Sequence, residues 1–310
     1  MDAGVTEDQV DLVTALRSLP VGVSWRRFTD SIVRRGDVRS AFQSCALQQD
    51  LLADGDWQVT REAARADLEH WRRQGWRVVS ILDAAFPERV RAIHEVPPLL
   101  FYAGHLRAQD RGVAVVGSRN ASPRGVDMSR SVAAELAARG LTVVSGLARG
   151  IDGAAHEAAL DAGARTVAFI GTGLDRSYPS EHAALQQRIA DTGVVLSQFW
   201  PGSPPRREHF PQRNALMSGY SYATVVVEAG EHSGARIQAR MAVAHGRPVI
   251  LSTLVVERTQ WGPTLVGRPD VHTASSLEEV LRLVDDIVER DRRADELLDA
   301  LSGPSVLAAS

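Results

Sequence analysis

Four short segments of the chain combine glycine with hydroxyl or cationic side chains, which is the chemistry of anion binding. Glycine allows the backbone to approach a ligand closely, and its free N–H groups can bind phosphate oxygens. Arg119 and Arg149 add full positive charges. The candidate phosphate-binding residues in these segments are Gly117, Ser118 and Arg119, then Gly146, Arg149 and Gly150, then Gly171, Thr172 and Gly173, and finally Ser233 and Gly234.

The alternative for any one segment is that its glycines only form a tight turn. Four such segments, two of them with an arginine, favour an anionic ligand, because a turn does not require a cation. The segment Gly171-Thr-Gly173 lacks the third glycine of a dinucleotide-binding fingerprint, and the chain has no P-loop lysine motif. The pattern therefore predicts phosphate binding without either nucleotide motif.

A further segment, Trp200-Pro-Gly-Ser-Pro-Pro-Arg-Arg-Glu-His-Phe-Pro-Gln-Arg-Asn214, is rich in proline and has three arginines against one glutamate. The prolines predict a stiff, exposed and locally basic loop, in which Trp200 and Phe210 could stack on unpaired bases. The alternative is that these rings pack on the edge of the sheet. Phe210, Arg213 and Asn214 are the candidate binding residues here.

The sequence contains no recognisable catalytic set or metal site. His156-Glu157 has no second histidine at zinc-ligand spacing, and Ser145-Gly146 lacks the glycine pattern of a nucleophile elbow. We therefore expect a protein that is not an enzyme and that needs no cofactor or metal. The carboxylates of Asp152, Asp175 and Glu228 would orient arginines or accept a hydrogen bond from a ribose hydroxyl.

The glycine-rich segments follow runs that are apolar throughout, which is typical of strands covered on both faces. The predicted strands are 77–82, 99–103, 113–117, 141–145, 166–170, 194–199, 223–228 and 248–252. With helices between them, these strands predict an α/β fold with an extended Rossmann-like, doubly wound, mostly parallel sheet. Ligands of such sheets bind beyond the carboxyl ends of the strands, so the segments should share one crevice.

The connecting helices have clear start and stop signals. Ser122-Pro123 predicts an N-cap followed by proline in the first turn, and Gly140 predicts the end of the same helix. Helices over 148–161 and 234–244 are expected to end before a glycine in the same way.

Residues 1–70 are predicted to form a small helical domain, SAM-like or a degenerate helix-hairpin-helix, because apolar residues recur at helical spacing. Its turn Val21-Gly22-Val23 has one glycine, where a DNA-binding hairpin turn would have two, so a plain helix connection is favoured. Residues 71–290 form the predicted Rossmann-like domain. A flexible tail is expected over 291–310.

Composition limits the classes of protein that remain. The net charge of −3 gives no general attraction to a polyanion, so nucleic-acid binding would need a locally basic surface. The single cysteine, Cys45, excludes internal disulfides and cysteine-rich metal sites. No apolar run approaches the length of about 20 residues that spans a bilayer, and the acidic N-terminus is unlike a signal peptide. We expect a cytoplasmic protein.

Several long motifs together resemble the DNA-processing protein A family, also called DprA or Smf. The resemblance covers about residues 71–252, and the motifs follow the family's order. They are Val115-Val-Gly-Ser-Arg119, Val144-Ser-Gly-Leu-Ala-Arg-Gly-Ile-Asp-Gly-Ala-Ala-His156, Gly171-Thr-Gly-Leu-Asp175 with Tyr178-Pro179, His209-Phe-Pro-Gln-Arg-Asn214, and Val226-Val-Glu-Ala-Gly230 with Ser233-Gly234.

This resemblance implies a homodimer that binds and protects single-stranded DNA and helps to load the recombinase RecA during natural transformation. It assigns the DNA pocket to the matching positions Gly117, Ser118, Arg119, Gly146, Arg149, Gly150, Phe210, Arg213 and Asn214. Arg149 stands where family members often carry lysine, keeps the charge and adds a planar fork for phosphate.

The chain also departs from the family. After Ser252 it lacks the family's glycine-rich run, so no role is carried onto that stretch. The winged-helix domain of many members is not expected within 291–310.

Two other functions use a similar crevice. The related lysine-decarboxylase-like, or LOG, phosphoribohydrolases cleave nucleoside monophosphates, but they carry a Pro-Gly-Gly-x-Gly-Thr run where this chain has Glu228-Ala-Gly-Glu-His-Ser-Gly234. A sensor of a small nucleotide is the other alternative.

Overall fold

The N-terminal part of the chain is helical. The computed structural model describes residues 4–46 and 54–302. Its first helices are α1 (Glu7–Arg17), α2 (Trp25–Arg35), α3 (Val38–Ala46) and α4 (Asp54–Arg73). Thr6 and Gln9 form a complete capping box at α1, and the Ser24 hydroxyl caps α2 by accepting from the Arg27 N–H. The boundary of a separate domain at residue 70 remains a prediction.

Within the described residues, nine strands form one sheet at the centre of the fold. Its strands are β1 (Trp76–Ser80), β2 (Leu99–Gly104), β3 (Gly112–Val116), β4 (Thr142–Ser145), β5 (Thr166–Phe169), β6 (Val194–Ser197), β7 (Ala223–Val226), β8 (Val249–Ser252) and β9 (Val271–Ala274). They lie in the order β1-β2-β6-β5-β4-β3-β7-β8-β9. The β1–β2 and β2–β6 pairs are antiparallel and the other pairs are parallel. This confirms the predicted extended Rossmann-like fold.

All eight predicted strands are present, with ends shifted by a residue or two. β9 was not predicted from the sequence. Its sequence, Val271-His-Thr-Ala274, is short and half polar, and only Ala274 is buried, because the strand lies at the edge of the sheet. Edge strands lack the continuous apolar run that identifies a central parallel strand.

Helices follow most of the strands. They are α5 (Glu88–Arg91), α6 (Pro123–Ala138), α7 (Ile151–Asp161), α8 (Ala183–Thr192), α9 (His209–Tyr220), α10 (Gly234–Ala244), α11 (Thr253–Arg258), α12 (Trp261–Leu265) and α13 (Leu277–Ser302). α6 has the predicted signals: the Ser122 hydroxyl accepts from the Gly125 N–H, Pro123 is the first helical residue, and Gly140 has φ +67°.

The helices cover both faces of the sheet. One apolar core joins the sheet to α6, α7 and α13, with Val132, Ile151 and Val284 fully buried. The other joins it to α1, α2, α4 and α8 to α12. This two-sided burial explains why the central strands are apolar throughout.

The N-terminal helices contact the sheet through a cluster of aromatic rings. The ring of Trp200, which follows β6, lies 6.1 Å from Trp25 of α2, 6.0 Å from Trp71 of α4 and 5.4 Å from Phe101 of β2. The Arg17 guanidinium lies 5.5 Å from the same ring. Of the two alternatives for Trp200, the structure shows the packed one, with the ring set against β2 and the N-terminal helices.

The last helix is longer than predicted. α13 continues to Ser302. The prediction of a flexible tail is therefore wrong for residues 291–302, which are helical. Asp291 is paired with Arg89, and Arg292 and Arg293 both bond to Glu289 at helical spacing. The rest of the expected tail, 303–310, lies outside the described residues. Within 4–46 and 54–302, no helix has the length and apolar character to cross a bilayer.

A buried carboxylate ties the amino ends of the strands together. Asp110, before β3, accepts from the Thr142 hydroxyl at 2.6 Å and the Tyr220 hydroxyl at 2.7 Å. It also forms an ion pair with Arg165 at 2.7 Å. Its partners come from β4, the end of α9 and the residue before β5. This network holds together the amino ends of β3, β4 and β5, which lie opposite to the glycine-rich loops.

Candidate functional site

The candidate site lies where the sheet changes winding direction. β3 and β7 are neighbours, and the helices after them, α6 and α10, belong to cores on opposite faces. In open α/β sheets such a switch point leaves a gap at the carboxyl ends of the strands, where ligands bind. The glycine-rich loops after β3 and β7 meet at this gap.

Two adjoining cavities occupy the gap, and we call them together the crevice. One has a volume of about 490 Å³ and the other about 230 Å³. Arg119, Phe210 and Arg213 line both. The larger cavity is also lined by Gly117, Ser118, Asn214, Ser233 and Gly234, and the smaller by Gly146 and Arg149. The structure thus brings together most of the predicted site residues.

Arg119 and Arg149 are both exposed in the crevice. The Arg119 guanidinium carbon lies 5.1 Å from the centre of the Phe210 ring, a cation–π distance. Arg149 is 61% exposed and is paired with Glu181, which follows Tyr178-Pro179. Hydrogen bonding to Arg149 lowers the pKa of the Glu181 carboxyl, so this acid is charged at neutral pH. Both arginines remain accessible to a ligand in solution.

Arg213 is the cation at the floor of the crevice. It is only 5% exposed, and its Nη1 atom lies 3.9 Å from Asp152 and donates to the Phe169 carbonyl at 3.3 Å. Burial lowers the pKa of Arg213 to about 10, and Asp152 opposes this shift. Burial likewise raises the pKa of Asp152, which Arg213 opposes. The pair is held away from water, and its two opposite charges largely offset each other, so it acts mainly as a fixed element in the floor of the crevice.

Arg213 and Asn214 do not lie in an exposed loop, as the proline-rich composition suggested. Both are buried in α9, which begins at His209. Pro211 is accommodated because it lies in the first helical turn, where the backbone N–H groups have no partner within the helix. Of the three arginines of this segment, the two that are exposed, Arg206 and Arg207, lie before α9.

Two of the glycines allow the loops to pack tightly. A Cβ atom on Gly146 would lie 1.2 Å from Arg213 Nη1, so any side chain there would displace this arginine. Gly150 has φ +73°, and a Cβ atom on it would lie 2.3 Å from the Ser118 carbonyl oxygen. Gly150 lines neither cavity, so its role is to bring the loops after β3 and β4 together.

Two helices begin at the crevice. α7 starts at Ile151, directly after Gly150, and α10 starts at Gly234 with Ser233 as its N-cap. The first N–H groups of a helix carry partial positive charge. Asn214 fixes the start of α10, because its side-chain amide donates to the Gly234 carbonyl at 3.3 Å.

The structure places the Gly171, Thr172 and Gly173 segment outside both cavities. A Cβ atom on Gly171 would touch the Phe210 ring at 3.2 Å, and the Gly171 carbonyl is 3.0 Å from His209 Nδ1. The phosphate contact predicted for these three residues stays a prediction; in the structure they lie beside Phe210 and the loop after β6.

The three candidate carboxylates have different roles. Asp152 pairs with Arg213, as expected. Asp175 accepts from the Gly202 N–H at 2.6 Å, and Glu228 accepts from the Ser122 N–H at 2.9 Å and from the Ser122 hydroxyl. These last two hold loops and the start of α6.

Sequence reasoning missed two residues of the smaller cavity, Tyr178 and Glu181. Tyr178 is 44% exposed, and its ring lies 5.6 Å from that of Phe210, so the two form an aromatic surface open to solvent. The motif Tyr178-Pro179 was a usable signal for the tyrosine. No sequence pattern indicated that Glu181 would pair with Arg149.

His156 does not line the crevice and so cannot act there as an acid or a base. It is fully buried, and its Nδ1 atom is 2.7 Å from the Thr166 hydroxyl. Burial lowers its pKa to about 3, so it is neutral. Within the described part of the chain, no three histidine, cysteine or acidic side chains are grouped as metal ligands.

Comparison with known proteins gives a family match. Residues 77–282 match the model of the family described as DNA recombination-mediator protein A. The chain is 44% identical over 171 residues to DNA processing protein DprA of Streptococcus pneumoniae, covering 55% of this chain and 60% of that one. It is 41% identical over 166 residues to protein Smf of Escherichia coli, covering 53% and 44%. The chain thus spans about half the length of the curated relatives it matches.

Two solved structures share the fold. The X-ray structure of DprA from S. pneumoniae superposes with a TM-score of 0.67 at 29% identity, covering 90% of this chain and 98% of that one. DprA from Helicobacter pylori superposes with a TM-score of 0.61 at 22% identity, covering 69% and 96%. The latter structure was determined for its binding mode with single-stranded DNA.

Proposed function

This chain belongs to the DNA recombination-mediator protein A family, and from that premise we propose that it binds single-stranded DNA in the crevice without catalysing a reaction. The observation that carries the proposal is the meeting of Arg119, Arg149 and Arg213 with two helix N-termini and an aromatic surface. Phosphates are attracted by the charges and N–H groups, and unstacked bases by the rings.

Each group has a defined part in the proposed complex. The sugar-phosphate backbone lies across Arg119, Arg149 and the loops that begin at Gly117 and Ser233. Bases stack on Phe210 and Tyr178, whose ring centres lie 5.6 Å apart. Arg213 does not reach out to solvent; its guanidinium lies against Gly146 and positions the loop there.

The partners follow from the family and remain proposals. We propose that the protein acts as a homodimer, protects incoming strands and helps RecA to load on them during natural transformation, in the cytoplasm. The match to the family model and the identity to the DprA and Smf relatives support this role.

The test is a titration of single-stranded and double-stranded oligonucleotides at several salt concentrations. We expect a preference for single strands, with affinity that falls as salt rises by a slope of about −0.7 for each phosphate contact. Arg119→Ala and Arg149→Ala should weaken binding for all sequences alike and make the slope shallower. If both variants bind like the wild type at moderate salt, the assignment of the crevice is wrong.

An assay for release of adenine from AMP separates this function from that of a phosphoribohydrolase. We expect no turnover. Release of adenine that depends on the crevice residues would reverse the proposal of a non-enzymatic protein.

A further inference from the structure

Two arginines at the start of α2 have no structural explanation. Arg26 and Arg27 are exposed, and in 4–46 and 54–302 neither side chain has an ion-pair or hydrogen-bond partner. They lie in the first helical turn, where the helix dipole disfavours positive charge. Helix stability therefore does not account for them, whereas Arg34 and Arg35 in the last turn complement the dipole.

The start of α2 lies on the same side of the molecule as the crevice, at the carboxyl ends of the parallel strands. Trp25, the residue before Arg26, contacts Trp200 with ring centres 6.1 Å apart. Trp200 follows the carboxyl end of β6, and β6 is parallel to β5. The carboxyl ends of β3, β4, β5 and β6 therefore point the same way, with α2 beside the last of them.

Exposed arginines mark this edge from the crevice to α2. β3 and β6 are three strand positions apart, which corresponds to about 15 Å. The exposed arginines that follow the four strands are Arg119 after β3, Arg149 after β4, Arg176 after β5, and Arg206 and Arg207 after β6. Arg26 and Arg27 continue this series on α2.

We propose that single-stranded DNA held in the crevice continues along this edge and that Arg26 and Arg27 bind its phosphates. The inference rests on the proposed function and extends it, because it assigns part of the DNA contact to the N-terminal helices. At the spacing of about 3.4 Å per nucleotide of a stacked strand, a path of about 15 Å corresponds to about four further nucleotides, and an extended strand covers it with fewer. Only longer oligonucleotides reach α2, and the turn at Gly22 takes no part.

The experiment compares the wild type with the double variant R26A/R27A, using a short oligonucleotide that fills only the crevice and a series lengthened one nucleotide at a time. For the short oligonucleotide we expect equal affinities. Beyond a threshold length, the wild type should gain affinity and the variant should bind about five- to tenfold more weakly. The salt slope of the variant with long oligonucleotides should be lower by about 1.4, since two contacts are lost.

The matched control is R34A/R35A, which removes the same charge from the other end of α2. It should bind every length like the wild type, and so should the charge-preserving R26K/R27K. Thermal unfolding of each variant checks that the exposed substitutions leave the fold intact. Equal weakening of short and long oligonucleotides by R26A/R27A, no weakening of long ones, or equal weakening by R34A/R35A would each overturn the inference.

Failure of the proposed function has a different signature. In that case the wild type would bind no oligonucleotide of any length, or Arg119→Ala would leave binding of the short one unchanged.

Discussion

Arg149 and Arg213 line the same cavity in opposite states. Arg149 is exposed and holds Glu181, a partner that solvent or a phosphate can replace, because exposed ion pairs are weak. Arg213 is buried with Asp152 and cannot change partner without exposing a charge to the protein interior. Arg149 is therefore suited to exchange its partner for a ligand, and Arg213 is suited to a fixed structural role beneath the loop at Gly146.

In the proposed complex, the Glu181 carboxylate would compete with DNA phosphates for Arg149. We expect Glu181→Gln to tighten binding of single-stranded DNA about two- to fivefold at low salt, because Arg149 is released and a repelling charge is removed. The control is Glu157→Gln, which breaks a similarly exposed pair with Arg130 and should leave affinity unchanged. Oligonucleotide titration of both variants decides the matter; weaker binding by Glu181→Gln would show that the carboxylate supports the site.

His156 makes stability depend on pH. In the unfolded chain its pKa is near 6.5, whereas burial lowers the folded value to about 3. Below pH 6.5 the unfolded state binds a proton that the folded state does not, so the free energy of unfolding falls as the pH falls towards 3. Between pH 7 and pH 5 the loss should be about 2 kcal/mol.

Denaturant unfolding at several pH values measures this effect. His156→Asn should show a dependence shallower by that amount over the same range, whatever its stability at pH 7. The exposed His94 is the control, and His94→Asn should keep the wild-type dependence. An unchanged slope in His156→Asn would mean that other groups cause the pH effect.

At the scale of elements, caps and close contacts set where each helix begins relative to the crevice. Ser122 caps α6 and also bonds through its hydroxyl and N–H to Glu228, which follows β7. The start of α6 is thereby linked to the strand on the other side of the switch point. A single serine thus aligns the two loops that form the larger cavity.

Ser122→Ala should lower the free energy of unfolding by about 1–2 kcal/mol, since a helix cap and a bond to Glu228 are lost together. Ser131→Ala, on an exposed position of the same helix, should change it by less than about 0.5 kcal/mol. Thermal or denaturant unfolding measures both. Equal effects would argue that Ser122 has no special role.

The central elements were predictable because strands buried on both faces leave an uninterrupted apolar run, as in Val113 to Val116. The edge strand β9 was not, because half of it is polar. The start of α9 was missed since proline suggested a loop, although Pro211 falls where a helix tolerates it. The crevice was predictable as a set of loops, but the burial of Arg213 and the contact of Glu181 with Arg149 depend on tertiary packing that no local pattern encodes.

At the scale of the whole molecule, the N-terminal helices are joined to the sheet by the Trp200 cluster. This ring contacts α2, α4 and β2, so it connects segments far apart in the chain. Because aromatic side chains bury large apolar areas, such a contact contributes strongly to stability.

Trp200→Ala should therefore lower the free energy of unfolding by about 2–4 kcal/mol, slightly less than a fully buried tryptophan because the ring is partly exposed. Trp200→Phe should cost less, and Val21→Ala, at a position 97% exposed, should cost almost nothing. Denaturant unfolding gives these values. If Trp200→Ala is as stable as the wild type, the cluster does not join the two parts.

The Asp110 network lies under the amino ends of β3, β4 and β5, whereas the arginines and glycine loops lie above their carboxyl ends. The buried network that stabilises the sheet and the loops proposed to bind the ligand are therefore separated by the full length of the strands. Substitutions in the loops at the carboxyl ends can then change ligand binding while leaving the Asp110 network, and with it the stability of the sheet, largely unaffected. The same separation makes this sheet a convenient frame on which to engineer new specificity for other polyanions.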